Sequence, residues 1–215
     1  MIKSLRLWFF CFVCVLLPKA ESAIIPEVCI ENSTVSTPDP FFTSELAAFI
    51  SYDVFQKAID GVKKFNPTKQ LLAICDFTKP STEERFFLID LEQQKVVLSS
   101  LVAHGRNSGE NIANYFSNKM SSYKTSLGFY TIGSKIYSPK HGPSLLLNGL
   151  EKGKNDNARR REIIMHGADY VSHDFIEKHG RLGRSQGCPA LPNEVMQTVI
   201  PLIKDGALLY IHGKM

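Results

Sequence analysis

LLAICDFTKPSTEERFFLIDLEQQKVVLSSLVA, residues 71–103, carries three short apolar runs, Leu71–Phe77, Arg85–Leu91 and Lys95–Ala103. Turn formers and charged residues separate them (TKPSTEE and EQQ). Runs of this length, rich in β-branched and aromatic residues and bounded by such breakers, read as strands rather than helices. The same texture continues at Ser126–Gly133, Ser144–Leu150, Glu162–His166 and Ala207–His212, with Gly, Pro, Asn and Ser in between. Many short strands at this spacing predict a mainly β sandwich or barrel. Asn193–Ile203 interrupts them, with Met196, Val199, Ile200 and Ile203 at helical spacing and Asn193 in the N-cap position. Upstream, Leu46, Ile50, Val54, Ala58, Ile59, Val62 and Phe65 recur every three or four residues and predict helix over Thr43–Phe65, stopped by Asn66-Pro67. Ser51 is placed to cap a second helix, so one broken helix and two short ones both fit. The fold class is therefore a β-rich domain with an N-terminal helical segment and peripheral helices.

Composition allows this and narrows the function. The chain has 215 residues, 44% hydrophobic and 21% charged, enough to bury a core. The formal charge is +4. Removing residues 1–22 takes away Lys3, Arg6, Lys19 and one acid, Glu21, leaving +2. A nucleic-acid partner would need a strongly basic face, so none is expected. The basic runs Lys63-Lys64 and Arg159–Arg161 are short and read as solvated faces or the charged start of a strand.

Lys3 and Arg6 precede eleven apolar residues, Leu7–Leu17, then Pro18 and the small-residue stretch Ala20–Ala23. That order is the pattern of a secretory signal peptide over residues 1–22, which places the protein in the periplasm or cell envelope. Eleven residues are too few to span a bilayer, so no stable membrane span is expected after cleavage. Residues 23–50 read as an extended lead-in and the start of the helical segment, and residues 51–215 as the catalytic domain.

Of the five cysteines, Cys11 and Cys14 lie in the signal; Cys29, Cys75 and Cys188 remain. An odd number in an oxidising compartment leaves a thiol unpaired. A Cys29–Cys75 disulfide with Cys188 free is the economical arrangement. Cys188 sits in RSQGCPALP, residues 184–192, between Gly187 and Pro189. The thiolate is the nucleophilic form, and a neighbouring imidazole can favour it. His166 ends the apolar run EIIMH and is followed by Gly167, so its side chain emerges where a strand opens into a loop. Gly167 supplies a backbone carbonyl that could orient the ring. Gly187 permits unusual dihedrals and room for a substrate carbonyl, and the amides of 187 and 188 could face a developing oxyanion. Pro189 stiffens the exit from the nucleophile. His104 and His141, each followed by glycine, read as turns or cleft rim, and His173 and His179 as residues of a polar loop between His166 and Cys188.

HGADYVS (166–172) followed by GRSQGCPA (183–190) resembles the YkuD-type murein L,D-transpeptidases, in particular the branch whose cysteine motif ends GCPA. VAHGRNSG (102–109), YFSN (115–118), SLGFY (126–130) and NGLEKGKNDNARRR (148–161) extend the likeness over about Ser51 to His212. The resemblance implies an exported acyltransferase acting on peptidoglycan peptide stems, without metal or cofactor. Cys188 would attack the bond between an L-centre and a D-centre and expel D-alanine. His166, oriented by the Gly167 carbonyl, would be the base, and Gly187 and Cys188 amides would hold the oxyanion. Ser185 would stabilise the motif loop, Arg184 would meet a stem carboxylate, and Gln186 stands where many members have histidine. Pro189-Ala190 is a second departure. Together they leave the acceptor open between a second stem, a lipoprotein lysine and water. A silent envelope-binding domain is the non-enzymatic alternative. A papain-like hydrolase fits less well, because its cysteine normally precedes its histidine. A zinc site from His166, His173 and Cys188 has spacings of 7 and 15, which match no compact ligand pattern. Oligomeric state is not encoded in any feature of the sequence.

Overall fold

A computed structural model describes residues 41–214, which belong to one unit. The signal-like segment, the lead-in up to Pro40 and Cys29 lie outside the described residues. The elements are α1 (Ser44–Phe49), α2 (Tyr52–Phe65), β1 (Leu71–Asp76), β2 (Phe86–Asp90), β3 (Lys95–Ser100), β4 (Gly128–Ser138), β5 (Gly142–Gly149), β6 (Ile164–Gly167), α3 (His173–His179), β7 (Ala190–Leu191), α4 (Asn193–Ile203) and β8 (Leu208–His212). The strands form one mixed sheet in the order β3-β2-β1-β8-β4-β5-β6-β7. Just past β3, Ala103 bridges Ala190 of β7, and Gly105 bridges Ser185. These bridges join the two ends of the strand order, which makes the sheet barrel-like. The mainly β class expected from the short apolar runs is the observed one.

The central strands are apolar on both faces because both faces are covered. Leu72 and Ile74 of β1, Phe87 and Ile89 of β2, and Leu208 and Tyr210 of β8 pack with Leu46, Phe55 and Ala58 from α1 and α2. Their alternate neighbours Ala73, Cys75, Phe86, Leu88, Leu209 and Ile211 pack with Met196, Val199, Ile200 and Ile203 of α4. Period-two alternation across the sheet thus meets a period-3.6 stripe on each side.

Of the two arrangements left open for the N-terminal helical segment, the structure has two helices: Thr43 caps α1 through its side chain, and Ser51 stands in the N-cap position of α2 without a side-chain bond. Other expectations are corrected. Pro192, not Asn193, is the N-cap of α4, because Leu191 is still paired with Gly167 in the sheet. Asn193 is the first helical residue and donates to Asp169. The stretch read as a polar loop contains α3, capped by Ser172 and closed by left-handed Gly180. Cys75 is a free thiol, fully buried in the core, and burial pushes its pKa up; it is not half of a disulfide. His104 is also buried rather than at a cleft rim.

His104 belongs to a polar knot under the loop that follows β3. Arg85 is fully buried. Its Nε and Nη2 donate to the Val102 carbonyl at 2.9 and 2.8 Å, and Nη1 donates to that of Lys79 at 2.9 Å. Nη2 also donates to His104 Nδ1 at 2.9 Å, so the His104 proton sits on Nε2 and is donated to Gly109 O. Burial lowers Arg85 to about 9 and His104 to about 4, the latter helped by the Arg85 charge. Arg85→Ala would leave these acceptors unsatisfied in the core. We expect a loss of about 3 kcal/mol or more, read as a drop in the urea midpoint at constant slope.

Candidate active site

β6 and β7 run parallel, with His166 opposite Ala190 and Gly167 opposite Leu191. Cys188 lies two residues before Ala190, in the bend that leads into β7, and packs against the core that holds Met165 and Leu191. The Pro189 carbonyl accepts the His166 N–H at 3.4 Å, which ties the residue after Cys188 to the strand that carries the histidine.

The His166 ring is held in one tautomer. Nδ1 lies 2.9 Å from the Gly167 carbonyl. A carbonyl only accepts, so Nδ1 carries the proton and Nε2 the lone pair. Burial, with smaller contributions from His141 and Lys140 and against the Gly167 bond, lowers the pKa to about 4, so the ring is neutral at pH 7. His141, from the β4–β5 turn, stacks on it with ring centroids 3.7 Å apart. Gly167 has no space for a side chain, since a Cβ there would meet Asn193 Oδ1 at 2.4 Å.

The thiol is half-buried and protonated. Sγ donates to the Glu162 carbonyl at 3.9 Å, and Glu162 holds a left-handed φ of 55° that a non-glycine residue rarely adopts. Burial raises the pKa; the Ile164 N–H and the Arg161 guanidinium offset part of that. The resting pair is therefore neutral thiol and neutral imidazole, not the ion pair that a neighbouring histidine would favour.

The motif loop is held on every side. Ser185 Oγ accepts the Gly187 N–H at 3.0 Å and donates to the Cys188 carbonyl at 2.6 Å. Thr125 Oγ1 donates to the Gly187 carbonyl at 3.3 Å. Gly187 has φ 123°, and a Cβ there would lie 2.9 Å from Lys124 O and 3.1 Å from Arg161 Nη2. The space that glycine creates is thus filled by Arg161 and a carbonyl, not left for substrate, and its amide is engaged by Ser185.

Arg161 is the site residue that sequence reasoning missed. Its guanidinium donates to Ser117 O, Ser126 Oγ, Ser122 Oγ and Lys124 O, pinning residues 117–126 beside Gly187. It is no solvated face; the only signal was its match to the family pattern. Arg184 turns away from the thiol: Nη1 donates to Arg106 O, Gly109 O and Glu110 Oε1, the last at 2.6 Å, and Glu110 also pairs with Arg181. Gln186 is exposed at the loop apex, and His173 and His179 are exposed on α3. Among the described residues, no group of three or more His, Cys, Asp or Glu is placed to hold a metal ion.

Two buried histidines make folding sensitive to acid. The unfolded chain takes up their protons around the ordinary value of 6.5, whereas the folded chain resists until about 4. The unfolded state therefore binds more protons in that window. Stability is full above 6.5 and is lost as pH falls toward 4, by roughly 3 kcal/mol for each ring. Urea midpoints measured from neutral pH downward should fall through this window, and His104→Gln should flatten the dependence.

A family model described as the L,D-transpeptidase catalytic domain matches residues 46–212. No curated protein matches the chain. Among solved structures, the chain is similar to an L,D-transpeptidase from Mycobacterium smegmatis, at 12% identity and a TM-score of 0.42 over 67% of this chain and 59% of that one. An L,D-transpeptidase from Stackebrandtia nassauensis is 14% identical, with a TM-score of 0.41 over 68% and 57%. One from Xylanimonas cellulosilytica is 15% identical, with a TM-score of 0.39 over 67% and 61%. The match spans less than two thirds of the length of each of these solved chains. With the family model covering well over half of its length, the chain belongs to the L,D-transpeptidase catalytic domain family.

Proposed function

We propose that the protein is an exported cysteine acyltransferase, an L,D-transpeptidase acting on peptidoglycan peptide stems through a thioester on Cys188. The observation that carries this reading is the junction of β6 with β7, where the Pro189 carbonyl accepts the His166 N–H and so ties the chain next to the Cys188 thiol to a neutral imidazole with a bare Nε2. Membership of the family supplies the substrate class, and the signal-like residues 1–22 support export.

In the first half-reaction the S–H leaves the Glu162 carbonyl and passes its proton to His166 Nε2. The thiolate attacks the carbonyl between the L- and D-centres of a tetrapeptide stem. Arg161, beside Gly187 and Cys188, favours the negative charge that forms. With the Gly187 amide engaged by Ser185, the Cys188 N–H is the donor left for the oxyanion. The tetrahedral intermediate collapses as imidazolium protonates the departing nitrogen, releasing D-alanine and leaving the thioester. In the second half, an acceptor amine attacks the thioester, Nε2 takes its proton, and the sulfur leaves and is reprotonated. Because the resting pair is neutral, substrate must be bound before the nucleophile forms. Arg184 can meet a stem carboxylate only by exchanging Glu110, so we assign it to holding the loop of residues 105–110 against the motif.

Incubation with a disaccharide-tetrapeptide, read by mass spectrometry, tests the activity. We expect a cross-linked dimer and free D-alanine. Tripeptide alone would reassign the protein as a carboxypeptidase, and no change would overturn the enzymatic reading in favour of a silent envelope-binding domain. Cys188→Ala should lower turnover by about 10⁴-fold or more with an unchanged unfolding midpoint; undiminished product from it would sink the mechanism.

A carbapenem, which presents a strained acyl group, should leave one covalent adduct on Cys188, visible by intact mass and absent from Cys188→Ala. An unmodified Cys188 in the folded, reduced protein would contradict an activatable thiol.

A further inference from the structure

The stacking of His141 on His166 brings together two elements with no other reason to share chemistry. His141 lies in the tight turn between β4 and β5, where its N–H donates to Ser138 Oγ and the next residue, Gly142, holds a left-handed φ of 66°. Three residues later Ser144 pairs with His166 across β5–β6. The hairpin therefore folds its tip back over the end of β6, and the rings meet at 3.7 Å and 25°. We propose that His141 is a positioning residue for the reaction, its ring forming one wall of the base and fixing the plane in which His166 presents Nε2. This rests on the reading of His166 as the general base.

The constraints on His166 then close. The Gly167 carbonyl holds the Nδ1 edge, His141 covers one face, and the paired strands β5 and β7 fix the backbone. The Nε2 edge remains for the proton of Cys188 and of the acceptor. Without His141, the imidazole could rotate about χ2 until only the Gly167 bond restrained it, and near-attack geometry is lost steeply with small displacements. The contact is also electrostatic. The charged or titratable groups acting on the pair are Lys140, from the same turn, and the two rings themselves. A proton on either ring opposes a proton on the other, so the pair titrates together. A half-buried His141 beside Lys140 resists charging, as its lowered pKa indicates, which preserves the neutral stack. Removing His141 admits water to the His166 face and deletes the ring whose proton would compete with that of His166, and both changes make His166 easier to protonate.

The experiment uses the full chain with His141→Ala and His141→Phe. The alanine variant should lower kcat by about tenfold or more with little change in KM, and should move the acid limb of kcat/KM upward by about one pH unit. The phenylalanine variant keeps a stacked ring and should restore most of kcat. An unaltered rate and acid limb in His141→Ala would overturn the proposal, as would a His141→Phe variant as impaired as alanine, which would make His141 a proton carrier. NMR titration of the His166 ring in the Cys188→Ala background reads the same contact without turnover. An upward shift on adding His141→Ala supports the wall; if the unaltered protein processes no stem, the proposed activity falls and the positioning role falls with it. No shift overturns the inference and leaves the activity untouched.

Discussion

Ala190 is the residue on which the site depends. It is fully buried and paired on both sides, to His166 in parallel and to Ala103 in antiparallel, with Ala103 N–H to Ala190 O at 2.8 Å and the return bond at 3.2 Å. A two-residue strand is too short to hold a register by itself. Held between two neighbours, β7 cannot slip, and a slip would shift the motif loop that carries Cys188 relative to His166. The same contact joins the ends of the strand order, so the closure of the sheet and the assembly of the site are one event. An alanine suits the position because it packs against Leu101, Ala103, Ala168 and Leu182 without forcing the strands apart.

One step further along, Gly187 carries that fixed register into a fixed backbone at Cys188. Its positive φ, its amide on Ser185 and its carbonyl on Thr125 leave the backbone of Cys188 no freedom to reorient. Arg161 closes the remaining side, and its bonds reach residues 117–126 at the same time. Shape and charge are thus supplied by one group: a half-buried guanidinium braces the glycine and favours charge on the adjacent sulfur. A lysine could not replace it, because the fork geometry lets one cation satisfy several acceptors in fixed directions.

How much of this was legible in the sequence follows from the range of each interaction. The strands were readable because being covered on both faces writes itself as short apolar runs, and α4 because its buried stripe is periodic. α3 was not readable, since none of its seven residues is buried and no stripe marks it. The span of α4 was read correctly, but its N-cap was placed one residue late because pairing of Leu191 with Gly167, a long-range fact, decides where strand ends and helix begins. At the site, His166, Cys188 and Ser185 could be named from their neighbours in the chain. The partners of Arg161 lie 35 to 44 residues away, and the stack on His166 is made by a hairpin tip. The double use of Ser185 Oγ also depends on the conformation of Gly187, which no spacing encodes. Cys75 shows the converse error: parity suggested a disulfide, while the alternation of β1 already pointed its side chain into the core.

Keeping the resting pair neutral has a consequence for survival outside the cell, where we place this protein. Oxidation proceeds from the thiolate, as does attack on an acyl carbonyl. A site that stored Cys188 as a thiolate against an imidazolium would be reactive toward both at all times. Here burial and the Glu162 carbonyl hold the proton on sulfur, and burial with Lys140 and the His141 ring nearby keeps the imidazole neutral. On the proposed mechanism, reaction requires a substrate that excludes water and draws the S–H toward Nε2, so a thiolate would exist only in its presence. Burial of Cys75 removes the other thiol of the described residues from the same hazard. The energetic resistance to forming the thiolate is therefore part of the design of the site: it trades idle reactivity for an intact cysteine.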